Sequence, residues 1–175
     1  MHLFGIFIVT VLNSSSELPT SPTQVDFYIF HAHYVQALER FVCRLIEKAY
    51  QQKHQIFVLA NTEAQAKLLD SLLWVVNPDS FIPHSLLLAG QEETFCLNGE
   101  GKSQHFPVVI GYGTMPQSTR TLLINLAETV PDFFAQFQRI AELVAPEESA
   151  RIAGRQRFRF YREQQVVLNS HDISK

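Results

Sequence analysis

Residues 56–60 (IFVLA) form an uninterrupted apolar run, and the residues after it carry the signals that begin a helix. The run is short, contains β-branched and aromatic residues, and follows the polar segment 51–55, which is typical of a buried strand. Thr62 and Gln65 have the spacing of a capping box at a helix N-terminus. Apolar residues then recur at helical spacing at Ala64, Leu68, Leu69 and Leu72. This stretch predicts a buried strand followed by a helix that packs on it.

The same pair of elements is predicted before this stretch. Residues 25–30 (VDFYIF) predict a strand. Apolar residues then follow at helical spacing at Tyr34, Leu38, Phe41, Val42, Leu45, Ile46 and Ala49. The chain therefore begins with a β-α-β-α pattern, and Pro78-Asp79 ends the second helix. Beyond it, residues 81–88 are expected to be extended or turn-like, and residues 95–101 to form a short strand and turn.

The C-terminal half continues the alternation of strands and helices. Residues 108–112 and 122–126 predict two strands. Pro131 suits the first turn of a helix, whose apolar face would comprise Phe133, Phe134, Phe137, Ile140, Ala141 and Val144. A last helix is predicted from about residue 146 to about residue 164. The pattern predicts an α/β fold: a single domain with a mainly parallel sheet and helices on both faces, in a Rossmann-like three-layer topology.

The composition is that of one folded domain. The chain has 175 residues, of which 46% are hydrophobic and 18% charged, which argues against a disordered protein. Cys43 and Cys96 are far apart, and each lies in an apolar stretch. They predict free thiols in a reducing compartment rather than a disulfide scaffold or a zinc ribbon. We therefore expect a soluble cytoplasmic protein.

Residues 1–22 differ from the rest of the chain. The apolar run 3–12 is shorter than the roughly 20 residues that cross a bilayer, and a Ser- and Pro-containing segment follows it. No basic residue precedes the run, and no small-x-small cleavage pattern follows it, so a signal peptide is a weak alternative, beside an extra strand. We expect a leader or disordered extension, no membrane association, and a fold that covers residues 23–175.

The sequence contains no catalytic, cofactor or metal signature. Gly111 and Gly113 begin a G-x-G pattern, but Pro116 stands in place of the third glycine and a strand follows, so the phosphate-binding helix is missing. His31 and His33 have no further ligands at metal-binding spacing. We expect a non-enzyme without a cofactor, and a nucleotide-dependent α/β enzyme remains a weaker alternative.

Residues 151–162 (RIAGRQRFRFYR) form a basic segment. It holds five of the 14 basic side chains, so the rest of the chain carries nine basic against 17 acidic residues. Arg151, Arg155, Arg159 and Arg162 follow one helical stripe, with Phe158 beside them. The stripe is either a solvated helix face or a binding surface. As a binding surface it suits single-stranded nucleic acid or an acidic peptide with an apolar anchor; the net negative charge mildly favours the peptide.

Two segments carry a resemblance to a known family. Residues 68–74 (LLDSLLW) and 80–84 (SFIPH) resemble the L-D-x-x-L-W and S-F-x-P-H pattern of the chi subunit of bacterial DNA polymerase III. Residues 25–28, 122–126 and 155–162 resemble the family too. The resemblance implies a non-catalytic clamp-loader subunit that binds the psi subunit and the acidic C-terminal tail of single-stranded DNA-binding protein, which ends in an aromatic residue. DNA would then be contacted only indirectly.

The resemblance also implies two sets of binding residues. The site for the acidic tail would comprise Trp74, Arg151, Arg155, Phe158, Arg159 and Tyr161. Within it, Arg155 would clamp the terminal carboxylate, and Phe158 replaces a tyrosine, which keeps the apolar wall but loses a hydroxyl. The surface for the psi subunit would comprise Phe81, Ile82 and Pro83.

Overall fold

The computed structural model describes residues 23–31, 36–75, 81–97, 99–101 and 103–173. The strands are β1 (Gln24–Phe30), β2 (Ile56–Leu59), β3 (His84–Leu88), β4 (Phe95–Leu97), β5 (Ser103–His105), β6 (Val108–Tyr112), β7 (Leu122–Asn125), β8 (Arg139–Val144) and β9 (Val167–Ile173). The helices are α1 (Ala37–Gln51), α2 (Glu63–Val75) and α3 (Glu148–Glu163), with one 3-10 turn at Phe134–Gln136. The expected leader at 1–22 and the expected helix end at Pro78-Asp79 lie outside the described residues.

Seven strands form one sheet in the order β3-β6-β2-β7-β8-β1-β9. Every neighbouring pair in it is parallel, whereas β4 and β5 form a separate antiparallel hairpin. Parallel strands require crossover connections, and helices that cover the sheet supply some of them. The predicted α/β fold with a mainly parallel sheet is confirmed. Within the described ranges, no helix has the length and apolar character needed to span a membrane.

The two faces of the sheet are covered by different helices. In β2, Ile56 and Val58 pack with the buried residues of α1 and α2, while Phe57 and Leu59 pack with Tyr161 of α3 on the other face. This division follows from the alternation of side chains along a strand. All four residues of β2 are buried because both faces are covered. The apolar run at residues 56–60 therefore contains an interior strand of the sheet.

The predicted helix from Pro131 to Val144 is wrong. The chain forms only a 3-10 turn at Phe134–Gln136 and then enters β8, which lies between β7 and β1. The apolar residues of β8 fit the period of a helix and also that of a strand. In the strand, Ile140 and Val144 pack in the core under α3, while Ala141 packs in the core on the opposite face of the sheet. A strand buried on both faces reads as a continuous apolar run, and burial in the sheet decides between the alternatives.

β9 was not predicted from the sequence. It pairs with β1 at the edge of the sheet, and most of its residues are exposed. An edge strand with a solvated surface needs no apolar pattern, so its polar sequence gives no periodic signal. The same applies to β5, which pairs with the predicted short strand β4.

The two glycines of the G-x-G pattern have structural roles. A side chain on Gly111 would collide with the ring of Phe57, which occupies that space in the core. Gly113 has a φ of 62°, a left-handed conformation that glycine adopts without strain. Gly111 makes room for the core packing and Gly113 for the turn after β6.

Candidate functional site

Helix α3 presents its arginines to two different environments. Arg155, Arg159 and Arg162 are exposed and Arg151 is half-buried, whereas Arg157 is buried. Arg159 and Arg162 have no ion-pair partner among the residues that the structure describes. The predicted stripe is therefore a real basic surface of four arginines, and the fifth arginine belongs to the interior.

Arg157 holds α3 on the sheet through Glu142 of β8. The Arg157 Nε donates to Glu142 Oε2 at 2.7 Å, and both side chains are buried. Tyr161, which is fully buried, donates its hydroxyl to Glu142 Oε1 at 2.8 Å, and Asn125 donates to the same oxygen at 2.9 Å. Burial raises the pKa of Glu142 above its ordinary value, while the nearby Arg157 charge opposes that shift. Tyr161 and Arg157 therefore orient the helix from inside.

A cavity of about 270 Å³ lies between α3 and the β9 side of the sheet. Its apolar lining comprises Phe27, Ile29, Val144 and Phe158, and Arg151 and Arg155 also line it. We call this cavity, with its two arginines, the α3 pocket. An apolar lining beside two guanidinium groups fits a ligand that carries an apolar group next to a carboxylate.

Two local features shape the α3 pocket. Phe158 packs edge-on against Phe27 of β1, with ring centroids 5.3 Å apart and an interplanar angle of 62°. Gly154 faces Val144 so closely that a Cβ atom there would lie 2.9 Å from the valine Cγ2. A larger residue at position 154 would push α3 away from β8 and would also narrow the cavity.

Each arginine of the α3 pocket is held by a specific acceptor. Arg151 donates from Nε to the carbonyl of Pro146 at 3.1 Å, and its Nη2 lies 3.3 Å from Nδ1 of His31. Arg155 donates from Nη2 to Oε1 of Glu148 at 2.8 Å. The half-buried guanidinium group of Arg151 is thus ordered before a ligand arrives, which reduces the entropy lost on binding.

Two larger cavities next to α3 are less suited to an anionic ligand. One, of about 430 Å³, has Glu128 and Asp132 in its lining together with Arg157, which is already paired with Glu142. The other, of about 300 Å³, lies at the carboxyl ends of the strands, where α/β folds commonly bind nucleotides. Glu128 and Glu147 line it, and their negative charge disfavours a phosphate group.

Trp74 lies away from the α3 pocket, although the resemblance places it in the same site as the arginines. It is on α2, on the opposite face of the sheet, and contacts His84 of the far edge strand β3 at a centroid distance of 4.9 Å. It also lies 5.6 Å from Phe81. Trp74 is 56% exposed and Phe81 68% exposed. The structure thus brings Trp74 together with Phe81 and not with the arginines.

The neighbours of Phe81 are less accessible. Ile82 is buried and Pro83 is half-buried. The Ile82 carbonyl accepts a hydrogen bond of 2.7 Å from Nδ1 of the buried His84 side chain. The ring of His84 in turn packs against the ring of Trp74. We refer to Trp74 and Phe81 as the aromatic patch.

Sequence reasoning missed most of the pocket walls. Phe27, Ile29 and Val144 come from two strands, and Glu148 and His31 hold the arginines at its edge. The alternation along β1 does place Phe27 and Ile29 on one face. Which helix covers that face depends on the strand order, which no local pattern encodes. Among the described residues, no group of three or more potential ligands is arranged to hold a metal ion.

Comparison with known proteins identifies the family. Residues 23–169 match the family model described as "DNA polymerase III chi subunit, HolC". The chain belongs to the chi subunit family of DNA polymerase III. A chi subunit from Pseudomonas aeruginosa is 39% identical over 153 residues, which cover 87% of this chain and 99% of the relative. A chi subunit from Haemophilus influenzae is 27% identical, with 85% of this chain and 96% of the relative covered.

Solved structures of other proteins share the chi fold at low identity. T4 UvsW superimposes with a TM-score of 0.57 and 8% identity over 88% of this chain, which spans 43% of that protein. The C-terminal domain of the DEAD-box protein Dbp5 superimposes with a TM-score of 0.51 and 11% identity, over 86% of this chain and 90% of that domain. At such identities the similarity concerns the fold alone.

The Glu142–Arg157 pair generates a prediction about stability. We expect Arg157→Met to lower the free energy of unfolding by about 3–5 kcal/mol, because it leaves a buried carboxylate without its cation. The pKa of Glu142 rises further in this variant. The stability that the protonated Glu142 side chain contributes is then fully present below the pKa that Glu142 has in the unfolded chain. It is lost as the pH rises through the higher pKa of Glu142 in the folded variant. Urea denaturation should therefore show a smaller loss at acidic than at alkaline pH.

The double variant Arg157→Met/Glu142→Gln is the matched control, because it removes the titrating group. Its free energy of unfolding should lack the pH dependence that the ionisation of Glu142 gives to Arg157→Met. An Arg157→Met deficit that is equally large at acidic and alkaline pH would show that the unpaired Glu142 charge is not the cause.

Proposed function

We propose that the α3 pocket binds the acidic C-terminal tail of single-stranded DNA-binding protein. The observation that carries the proposal is the combination, in one cavity of about 270 Å³, of an apolar lining with Arg151 and Arg155. The aromatic residue at the end of the tail fills the cavity against Phe158. Its terminal carboxylate binds the two guanidinium groups, which suit carboxylates because they donate two parallel hydrogen bonds.

The remaining arginines of α3 receive the acidic residues that precede the tail end. Arg159 and Arg162 are exposed and continue along the same helix from the pocket. In that position they act mainly by long-range attraction, which accelerates association and weakens with salt. Tyr161 supports the site indirectly through Glu142, since its side chain is fully buried. Membership of the chi family is consistent with this partner.

We assign the aromatic patch to the psi subunit. Trp74 and Phe81 are exposed and adjacent, and large exposed aromatic side chains are typical anchors of protein interfaces. Ile82 and Pro83 shape the backbone that carries Phe81. We therefore assign Trp74 to the psi surface and not to the tail site. In this proposal the two partners bind on opposite faces of the sheet. The protein then works in the cytoplasm as a non-catalytic adaptor between the clamp loader and coated DNA.

The tail proposal predicts a loss of affinity in Arg155→Ala. We expect the Kd for a fluorescent aspartate-rich peptide that ends in phenylalanine to rise about tenfold, because a hydrogen bond to a charged group contributes about 1.5–3 kcal/mol. Fluorescence anisotropy measures this change. Arg44→Ala is the matched control, since it removes an exposed arginine from α1 on the other face. Equal Kd values for Arg155→Ala and Arg44→Ala would refute the proposal that the peptide binds in the α3 pocket.

The psi assignment predicts that Phe81→Ala weakens capture of purified psi subunit by tenfold or more, as for an interface anchor that loses about 1.4 kcal/mol or more. The same variant should bind the acidic peptide like the wild type, because the α3 pocket lies on the other face. Phe95→Ala, which removes an exposed phenylalanine from the hairpin, is the control. Loss of psi binding in both variants, or in neither, would contradict the assignment.

A module that binds single-stranded nucleic acid through α3 is the second candidate, because α3 carries Phe158 and Phe160 among its arginines. Titration with bare single-stranded DNA separates the candidates. Under the tail proposal, bare DNA binds more weakly than the peptide at physiological salt. Tight binding of bare DNA that declines steeply with salt would favour the second candidate.

A further inference from the structure

The two arginines of the α3 pocket differ in what holds them. The acceptors of Arg151, the Pro146 carbonyl and the His31 imidazole nitrogen, carry no negative charge. The acceptor of Arg155 is the carboxylate of Glu148. Arg151 therefore keeps most of its capacity to attract an anion, whereas the charge of Arg155 is already balanced.

The Glu148–Arg155 pair is built into helix α3 itself. The two residues are seven positions apart, which is two turns, so both side chains lie on one side of the helix. Glu148 stands in the first turn, where a carboxylate also interacts favourably with the helix dipole. The side chains are 72% and 63% exposed, so water can replace either partner and the pair contributes little to stability. The Glu148 and Arg155 side chains can therefore separate without disturbing the fold.

We propose that Glu148 is an intramolecular competitor that occupies Arg155 until the carboxylate of the binding partner displaces it. This inference rests on the proposed function of the α3 pocket. A ligand carboxylate that binds Arg155 exchanges one ion pair for another, so the net gain at this arginine is smaller than it would be without Glu148. At Arg151 it forms a new ion pair without breaking one. Glu148 thereby lowers the affinity of the pocket and makes the complex easier to release.

Glu148→Gln tests the inference. Because exposed ion pairs contribute about 0.2–1 kcal/mol, the Kd for the aspartate-rich peptide that ends in phenylalanine should fall by a factor of about 1.4 to 5. Glu163→Gln is the matched control: it makes the same charge change on the same helix, at the last residue of α3. It removes one negative charge from the same helix without removing the partner of Arg155, so it should lower the Kd by less than Glu148→Gln does. An equal gain in both variants would mean general electrostatics, and would overturn the inference.

Two further measurements separate local competition from other causes. In an Arg155→Ala background, Glu148→Gln should bring no gain, because the contested arginine is gone. The gain should also be reduced for the same peptide with a C-terminal amide. A gain that persists undiminished in either case overturns the inference. If the wild type binds the peptide and Glu148→Gln binds it equally, only this inference fails. If neither binds it, the proposed function of the pocket fails as well.

Discussion

The buried ion pair between Glu142 and Arg157 determines how helix α3 sits on the sheet. The carboxylate is fully buried and accepts hydrogen bonds from Arg157, Tyr161 and Asn125. An ion pair of this kind adds little net stability compared with an apolar core, but misalignment would leave a charge unpaired in the interior. The helix is therefore restricted to the rotation in which Arg157 and Tyr161 point inward. That rotation directs the other arginines of α3 to the outside.

The shape of the α3 pocket follows from this restriction. With Arg157 inside, Arg151 and Arg155 lie at the α3 pocket and Phe158 reaches Phe27. Gly154 permits the close approach of α3 to β8 on which the depth of the pocket depends. A small change in the tilt of α3 would move the guanidinium groups and the apolar lining together, so charge and shape are coupled in one rigid element. The acceptors of the two arginines differ, since neutral groups hold Arg151 and the carboxylate of Glu148 holds Arg155.

Part of the fold was predictable from local patterns, because in some segments the apolar residues fit the period of a helix or that of a strand, but not both. Strand β2 is too short for a helix and is bounded by polar residues, and the helical spacing of α3 is unambiguous. Residues 131–144 satisfy both periods, and only the space between β7 and β1 decides for a strand. The sequence of β9 has neither the helical nor the strand spacing of apolar residues. An exposed edge strand does not need such spacing, because backbone hydrogen bonds hold it to its neighbour.

The family, the parallel α/β class and the concentration of arginine on one helix can be recognised in the sequence, since they depend on local composition and spacing. Which residues form one surface depends on how the elements pack. Trp74 and Phe81 are seven positions apart in the chain and meet as one patch, whereas Trp74 and Arg155 are separated by the sheet. The physical reason is that strand order and helix side set every distance across a sheet. Those are properties of the whole packed core, which no single segment encodes.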